Sequence, residues 1–163
     1  MDKAKLETPG ATVPVPMKYS KFKIETKLAR ASGWDPELEA HITSPESVYD
    51  VARRIEGSDR ERLLALYLNT NNDLIGVQEV AIGGRAYSPV PVDTILRTGL
   101  LSNAAGIVLA HNHPSGHMEF SEQDKTISTQ LKDAAKLMDM KLLDHVVIAD
   151  GKFLSLRDEG GLS

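Results

Sequence analysis

The chain has 163 residues, of which 41% are hydrophobic and 26% are charged, and it contains no cysteine. These proportions predict one globular domain with a buried core, and they exclude disulfides and thiolate metal ligands. The net charge of -4 argues against a broad binding surface for nucleic acid. We find no apolar run long enough to cross a bilayer and no signal segment, so we expect a cytoplasmic protein without a membrane partner.

The first part of the chain divides at about residue 17. Residues 1–17 are rich in proline and are predicted to form a flexible N-terminal segment, whereas residues 18–163 are predicted to form a single domain. Residues 18–28 alternate between apolar and mostly basic side chains. That period of two predicts a strand whose lysines protect a sheet edge.

A helix and a hairpin are predicted next. The dipeptide Ser44-Pro45 is typical of a helix start, and Gly57 is expected to end the helix. The apolar segments 63–68 and 74–82 flank a polar, asparagine-rich turn, which predicts a β-hairpin. The predicted buried side of the helix consists of Val48, Val51, Ala52 and Ile55.

The second half alternates between helices and strands. A short helix is predicted to start at Pro91 and to direct Ile95, Leu96 and Leu100 inward. Residues 106–110 form an apolar run of the buried-strand type. A long helix follows Ser121, and its predicted apolar stripe consists of Ile127, Leu131, Ala134, Ala135 and Met138.

The chain is predicted to close with a second hairpin. Residues 142–149 and 153–156 read as strands around Asp150-Gly151, a strong turn signal. The order of elements therefore predicts an α/β sandwich in which helices flank a mixed β-sheet. The long helix is expected to cover one face of that sheet.

The most informative residues lie where the buried strand meets the long helix. His111 and His113 follow the strand two positions apart, so their side chains point to the same face. Ser121 reads as the N-cap of the helix, and Asp124 lies in its first turn. Two imidazoles and one carboxylate are able to hold a metal and leave a coordination position for water, as catalytic zinc sites do. The simpler alternative is a capped helix preceded by two loop histidines.

This spacing, His-x-His followed by Ser and Asp, resembles the signature of JAMM (JAB/MPN) metalloproteases. The strings His111-Asn112-His113-Pro114-Ser115-Gly116 and Leu143-Asp144-His145-Val146-Val147-Ile148 are similar to the bacterial RadC-like branch. The resemblance extends from about residue 42 to residue 162. It implies a cytidine-deaminase-like, three-layer α/β fold.

The resemblance also implies roles for individual residues. His111, His113 and Asp124 would hold one zinc ion per chain, and Ser121 would donate a hydrogen bond to the oxyanion. The family further requires an upstream glutamate as a base for the zinc-activated water, and we assign this role to Glu79. The reaction implied is hydrolysis of a peptide or isopeptide bond.

Alternatives remain open at several residues. Glu79 is also consistent with an exposed carboxylate on an edge strand. His117 is interpreted as an exposed loop residue more readily than as a ligand. His145 fits either a residue that orients a metal ligand or a satisfied core histidine. Relatives usually have proline before the serine, where this chain has Phe120.

Three functions follow from these residues. The leading hypothesis is a zinc metallohydrolase that acts on a peptide or a protein conjugate. The second is a non-catalytic module that binds a protein tail. The third is an accessory role in DNA repair or mobile-element biology. Longer RadC relatives carry a helix-hairpin-helix segment for which 163 residues leave no room, so we expect no direct binding of nucleic acid.

Overall fold

A computed structural model describes residues 40–83 and 92–162 of the chain. The predicted N-terminal segment 1–17, the predicted strand 18–28 and Pro91 lie outside these residues. The prediction that one domain spans residues 18–163 stays a prediction.

The described residues form one five-stranded mixed sheet with the strand order β2-β1-β3-β4-β5. Neighbouring strands are antiparallel except β3 and β4, which are parallel and are joined through the long helix. Both predicted hairpins are present. The strands are β1 (Arg62–Leu68), β2 (Leu74–Ile82), β3 (Gly106–Asn112), β4 (Lys141–Ala149) and β5 (Lys152–Ser155).

Three α-helices accompany the sheet in the described part of the chain: α1 (Pro45–Ala52), α2 (Val92–Leu101) and α3 (Glu122–Leu137). The Ser44 side chain caps α1 as predicted, and a single 3-10 turn continues the helix to Ile55. Within residues 40–83 and 92–162, no helix combines the length and the hydrophobicity that a membrane crossing requires.

Two apolar clusters separate the helices from the sheet. Alternate residues of a strand face opposite sides, so Leu64 and Leu66 of β1 pack toward α1, whereas Leu63 and Ala65 pack toward α2 and α3. The molecule therefore has three layers, with α1 on one face of the sheet and α2 and α3 on the other. This arrangement confirms the predicted α/β fold with a mixed sheet.

Two predicted inward residues are exposed instead. Leu100 of α2 is 52% exposed, and Gly99 takes the buried position one turn after Ile95. Met138 is 48% exposed because α3 ends at Leu137, and Met138 serves as its C-cap. In α2 the buried position is therefore Gly99, one residue before the predicted Leu100. In α3 the prediction extended the apolar stripe past the end of the helix.

Candidate metal centre

The sheet places His111 at the centre of the site. His111 lies near the end of β3, where it pairs with Leu63 of β1 on one side and Val147 of β4 on the other. Because Leu63 packs toward α2 and α3, His111 points to that face as well. The side chain is buried, with 3% of its surface exposed.

The start of α3 supplies the carboxylate. Ser121 and Asp124 form a capping box, in which the Ser121 backbone N–H and hydroxyl both donate to Oδ2 of Asp124, at 2.8 and 2.6 Å. These two hydrogen bonds occupy Oδ2 and leave Oδ1 facing the histidines. Oδ1 lies 3.6 Å from Nε2 of His111.

The loop after β3 orients His113. Its Nδ1–H donates to the carbonyl oxygen of His117 at 2.7 Å, so Nε2 carries the free lone pair. That Nε2 atom lies 2.9 Å from Nε2 of His111. The ring of His117 itself is exposed and contacts the Ser115 hydroxyl, in agreement with its interpretation as a loop residue.

These three side chains have the composition of a zinc site. Bonds of about 2.0–2.2 Å in tetrahedral geometry separate neighbouring ligand atoms by about 3.3 Å. The separations from Nε2 of His111, 2.9 Å to His113 and 3.6 Å to Asp124, lie on either side of that value. His113 and Asp124 thus flank Nε2 of His111, but the ligand atoms of the three predicted residues do not all lie within 4.8 Å of one another, whereas those of His111, Asp124 and His145 do.

A glutamate that the sequence analysis did not select stands beside the histidines. Glu61 directly precedes β1, and its Oε1 lies 3.4 Å from Nε2 of His113. Its ligand atom groups with those of His111 and His113 within 4.8 Å. The Glu61 side chain is 46% exposed, so its carboxylate reaches solvent as well as the site.

Asn112 holds the backbone on both sides of Glu61. Its Nδ2 donates to the carbonyl oxygen of Arg60 at 3.0 Å, and its Oδ1 accepts from the backbone N–H of Arg62 at 2.8 Å. The residue between the two histidines thus anchors the segment that carries the glutamate.

Glu79 lies elsewhere. It pairs with Leu64, which packs toward α1, so Glu79 is on the face of the sheet opposite to His111. There it forms a two-point ion pair with Arg62, with both N–O distances at 2.6 Å. The structure therefore does not bring Glu79 to the histidines, and among the described residues Glu61 occupies the place that was assigned to it.

Charges within the site influence one another. When His113 is protonated, its Nε2–H faces Glu61, and this hydrogen bond lowers the pKa of the Glu61 carboxyl and raises the pKa of the His113 imidazole. Burial lowers the pKa of His111 to about 4. Burial also holds the pKa of His145 well below its usual range. Neutral His111 and anionic Glu61 are the forms expected near neutral pH.

His145 is packed beneath the site. Its Nε2 lies 2.7 Å from Nδ1 of His111, and its Nδ1 lies 2.7 Å from the Ser128 hydroxyl of α3. The ring is therefore a satisfied core residue that also contacts His111, a candidate metal ligand. Sequence alone did not reveal Ser128 as its partner.

An open cleft of about 420 Å³ leads to the site. Glu61, the candidate ligand His113 and Ser121 at the start of α3 line this cleft, so a molecule in it contacts Glu61 and one candidate ligand directly. The other lining residues are Pro114, Ser115, His117 and Glu119.

Fold and site together define a class: an α/β protein whose mixed sheet presents two histidines, at the end of a central strand, to a carboxylate at the start of a helix. The sequence matches the RadC-like JAB domain family over residues 42–162. The chain belongs to this family.

Named relatives are similar over most of this chain. A UPF0758 protein of Methanosarcina acetivorans is 34% identical over 125 residues, which cover 76% of this chain and 55% of the relative. A UPF0758 protein of Flavobacterium johnsoniae is 37% identical over 120 residues, with 73% and 52% covered. A UPF0758 protein of Clostridium acetobutylicum is 36% identical over 120 residues, again with 73% and 52% covered. The chain spans about half the length of the curated relatives that it matches.

Proposed function

We propose that this chain is a JAMM-type zinc metallohydrolase that cleaves an amide bond in a peptide or a protein conjugate. The observation that carries the proposal is that His113 and Asp124 both lie next to Nε2 of His111, with Glu61 beside His113. Family membership supports it, since the chain belongs to the RadC-like JAB domain family. The complete set of ligands and base favours an enzyme over a non-catalytic binding module.

The metal would be held by Nε2 of His111, Nε2 of His113 and Oδ1 of Asp124. A zinc ion with three protein ligands keeps a coordination position for water or substrate and acts as a Lewis acid. Nitrogen and oxygen ligands without thiolate suit zinc, and the chain has no cysteine to offer an alternative.

Glu61 is proposed as the general base in place of Glu79. The pKa of the Glu61 carboxyl is lowered beside the His113 imidazole, which favours the ionised carboxylate, and its exposure toward the cleft lets it accept a proton from the attacking water. The same carboxyl would then deliver that proton to the leaving amine. Asn112 keeps this segment of backbone in place.

Ser121 has two proposed tasks. Its hydroxyl donates to Oδ2 of Asp124 at 2.6 Å, which aims the other carboxylate oxygen at the histidines. Ser121 also lines the cleft, so its hydroxyl is within reach of the oxyanion that forms on a bound substrate. Donation to the oxyanion requires the hydroxyl to rotate away from Asp124.

The first experiment measures metal and turnover together. Protein purified without chelator is analysed for zinc by mass spectrometry, with about one ion per chain expected. The same protein is then incubated with a library of peptides and lysine isopeptide conjugates, and cleavage is read by mass spectrometry. Native protein free of zinc, or unable to bind added zinc, would contradict the proposal.

A pair of glutamate variants tests the assignment of the base. Glu61→Gln should keep zinc and lose about 10²- to 10⁴-fold in turnover. Glu79→Gln removes a carboxylate from the opposite face of the sheet and should turn over substrate like the wild type. If Glu79→Gln were inactive and Glu61→Gln active, the base would be Glu79 after all.

A further inference from the structure

The contacts of His145 determine where its protons lie. Ser128 is buried, and its hydroxyl oxygen lies within hydrogen-bond distance of two neighbours: the backbone carbonyl of Asp124 at 2.6 Å and Nδ1 of His145 at 2.7 Å. The hydroxyl has a single proton to donate. A carbonyl oxygen only accepts, so the hydroxyl proton points to Asp124. The Ser128 oxygen must then accept from His145, which places a proton on Nδ1 of that ring.

The position of the proton on His145 determines the position of the proton on His111. In a neutral imidazole one nitrogen is a donor and the other an acceptor, so protonated Nδ1 leaves Nε2 of His145 as an acceptor. The ring is neutral because it is buried and its two hydrogen-bond partners, the Ser128 hydroxyl and His111, carry no negative charge to stabilise a second proton. Nε2 lies 2.7 Å from Nδ1 of His111, which must therefore carry the proton of that hydrogen bond.

The free lone pair of His111 is then on Nε2, the atom that faces His113 and Asp124. The reverse tautomer of His145 would donate to Nδ1 of His111 and leave a proton on Nε2, where it would block a metal. The ligand atoms of His111, Asp124 and His145 lie within 4.8 Å of one another, but in this chain of hydrogen bonds the Nε2 lone pair of His145 accepts from His111.

Phe120 covers this pair of rings. Its ring packs edge-on against His145, with centroids 5.4 Å apart, and against His111 at 6.3 Å. An apolar ring at this place keeps water from competing for the hydrogen bond between the histidines. This is the position at which the chain departs from the proline that is usual in the family.

We propose that His145 is a positioning residue that works through Ser128 to set the tautomer of His111, with the proton on Nδ1 and the lone pair of Nε2 turned toward the metal. The metal in this statement rests on the proposed function. The proton assignment rests on the hydrogen bonds of the protein alone, so the two are separable by experiment.

Two substitutions at position 145 distinguish orientation from packing. In His145→Gln the side-chain oxygen reaches the place of Nε2 and is able to accept from His111. In His145→Asn the amide reaches only the place of Nδ1, next to Ser128. We expect His145→Gln to bind zinc with nearly wild-type affinity and His145→Asn to lose about 10- to 100-fold, measured by competition with a chromophoric chelator.

A second pair tests Ser128. Ser128→Ala should weaken zinc binding about 10-fold, because Nδ1 of His145 loses its acceptor. Thr129→Ala is the matched control, since the Thr129 hydroxyl likewise donates to a carbonyl one turn earlier, that of Lys125, but has no imidazole partner. The control should bind zinc like the wild type.

Nitrogen NMR of histidine-labelled wild-type protein reads the tautomers directly and needs no variant. We expect protonated Nδ1 and unprotonated Nε2 on both His111 and His145, in the zinc-free and the zinc-loaded protein. A proton on Nε2 of His145, or His145→Asn and Ser128→Ala proteins that fold and bind zinc as tightly as the wild type, would overturn the inference. Wild-type protein that shows these tautomers but binds no zinc would overturn the proposed function and leave the proton assignment standing.

Discussion

Ser121 and Asp124 form a capping box that starts a helix and also orients a candidate metal ligand. Asp124 donates its backbone N–H to the Ser121 hydroxyl and receives two hydrogen bonds on Oδ2 in return. The reciprocal bonds satisfy orphan donors at the start of α3. They also restrict Asp124 to the orientation in which Oδ1 faces His111.

Ser121→Ala should therefore lower both the stability and the zinc affinity of the protein. Loss of an N-cap costs about 1 kcal/mol in the free energy of unfolding. Ser44→Ala is the matched control, because Ser44 caps α1 with the same kind of box on the opposite face of the sheet. Urea denaturation and zinc competition measure the two effects, and equal zinc affinity in both variants would count against a role for Ser121 in aiming Asp124.

Helix α3 connects the metal site to the core. Leu131 and Ala135 are fully buried against the sheet, and Ser128 on the same side reaches His145. The opposite side and the C-terminal end are exposed, and Leu137 has 84% of its surface in solvent. The helix thus presents a narrow apolar stripe with one polar contact near the ligands.

Two leucines of α3 give a direct comparison of burial. Leu131→Ala should lower the free energy of unfolding by about 2–5 kcal/mol, through lost apolar contacts and the cavity left behind. Leu137→Ala should change it by less than about 0.5 kcal/mol. Chemical denaturation measures both, and similar losses at the two positions would show that α3 does not pack as described.

Tyr67 joins β1 to β2 and α2, and it should make the protein sensitive to alkali. Its hydroxyl donates to Oε1 of Gln78 at 2.7 Å, and burial raises its pKa to about 12. Between its ordinary pKa of about 10 and this value, the unfolded chain loses the proton first, so the free energy of unfolding falls as pH rises. The full loss is on the order of 2 kcal/mol.

The measurement compares wild type with Tyr67→Phe by urea denaturation at pH 9, 10 and 11. The variant cannot ionise at this position, so its stability should decline less steeply over that range. Parallel pH profiles would show that Tyr67 does not cause the alkaline loss.

At the scale of the whole molecule, the candidate site unites residues that are far apart in the chain. Glu61 precedes β1, His111 lies near the end of β3, and Asp124 starts α3. No single element of the fold carries all three of these side chains. A metal bound there would connect the middle of the sheet to the helix layer that covers it.

Zinc should therefore stabilise the entire fold. The unfolded chain has no preformed site, so at a free zinc concentration of 100 times Kd the gain is about 2.7 kcal/mol. For a chain of this size that corresponds to a rise in Tm of about 5–10 °C. Thermal unfolding with chelator and with added zinc tests this, and Asp124→Ala should abolish most of the difference.

Local features were well determined by the sequence. The turns of both hairpins, the cap at Ser44 and the capping box at Ser121 depend on residues within a few positions of one another. The common face of His111 and His113 follows from the same short-range period. For this reason the fold class and the closeness of the two histidines were predictable without tertiary information.

Only the tertiary structure decided which glutamate meets the histidines. Glu61 directly precedes β1, and Glu79 lies in β2. Leu63 pairs with His111 and Leu64 pairs with Glu79. Because Leu63 and Leu64 face opposite sides of the sheet, Glu79 lies on the face opposite to His111. Strand order and register arise from contacts between distant segments, and so does the contact between His145 and Ser128. Residue spacing indicates the candidate ligands of this protein, whereas long-range packing decides which glutamate and which further histidine lie beside them.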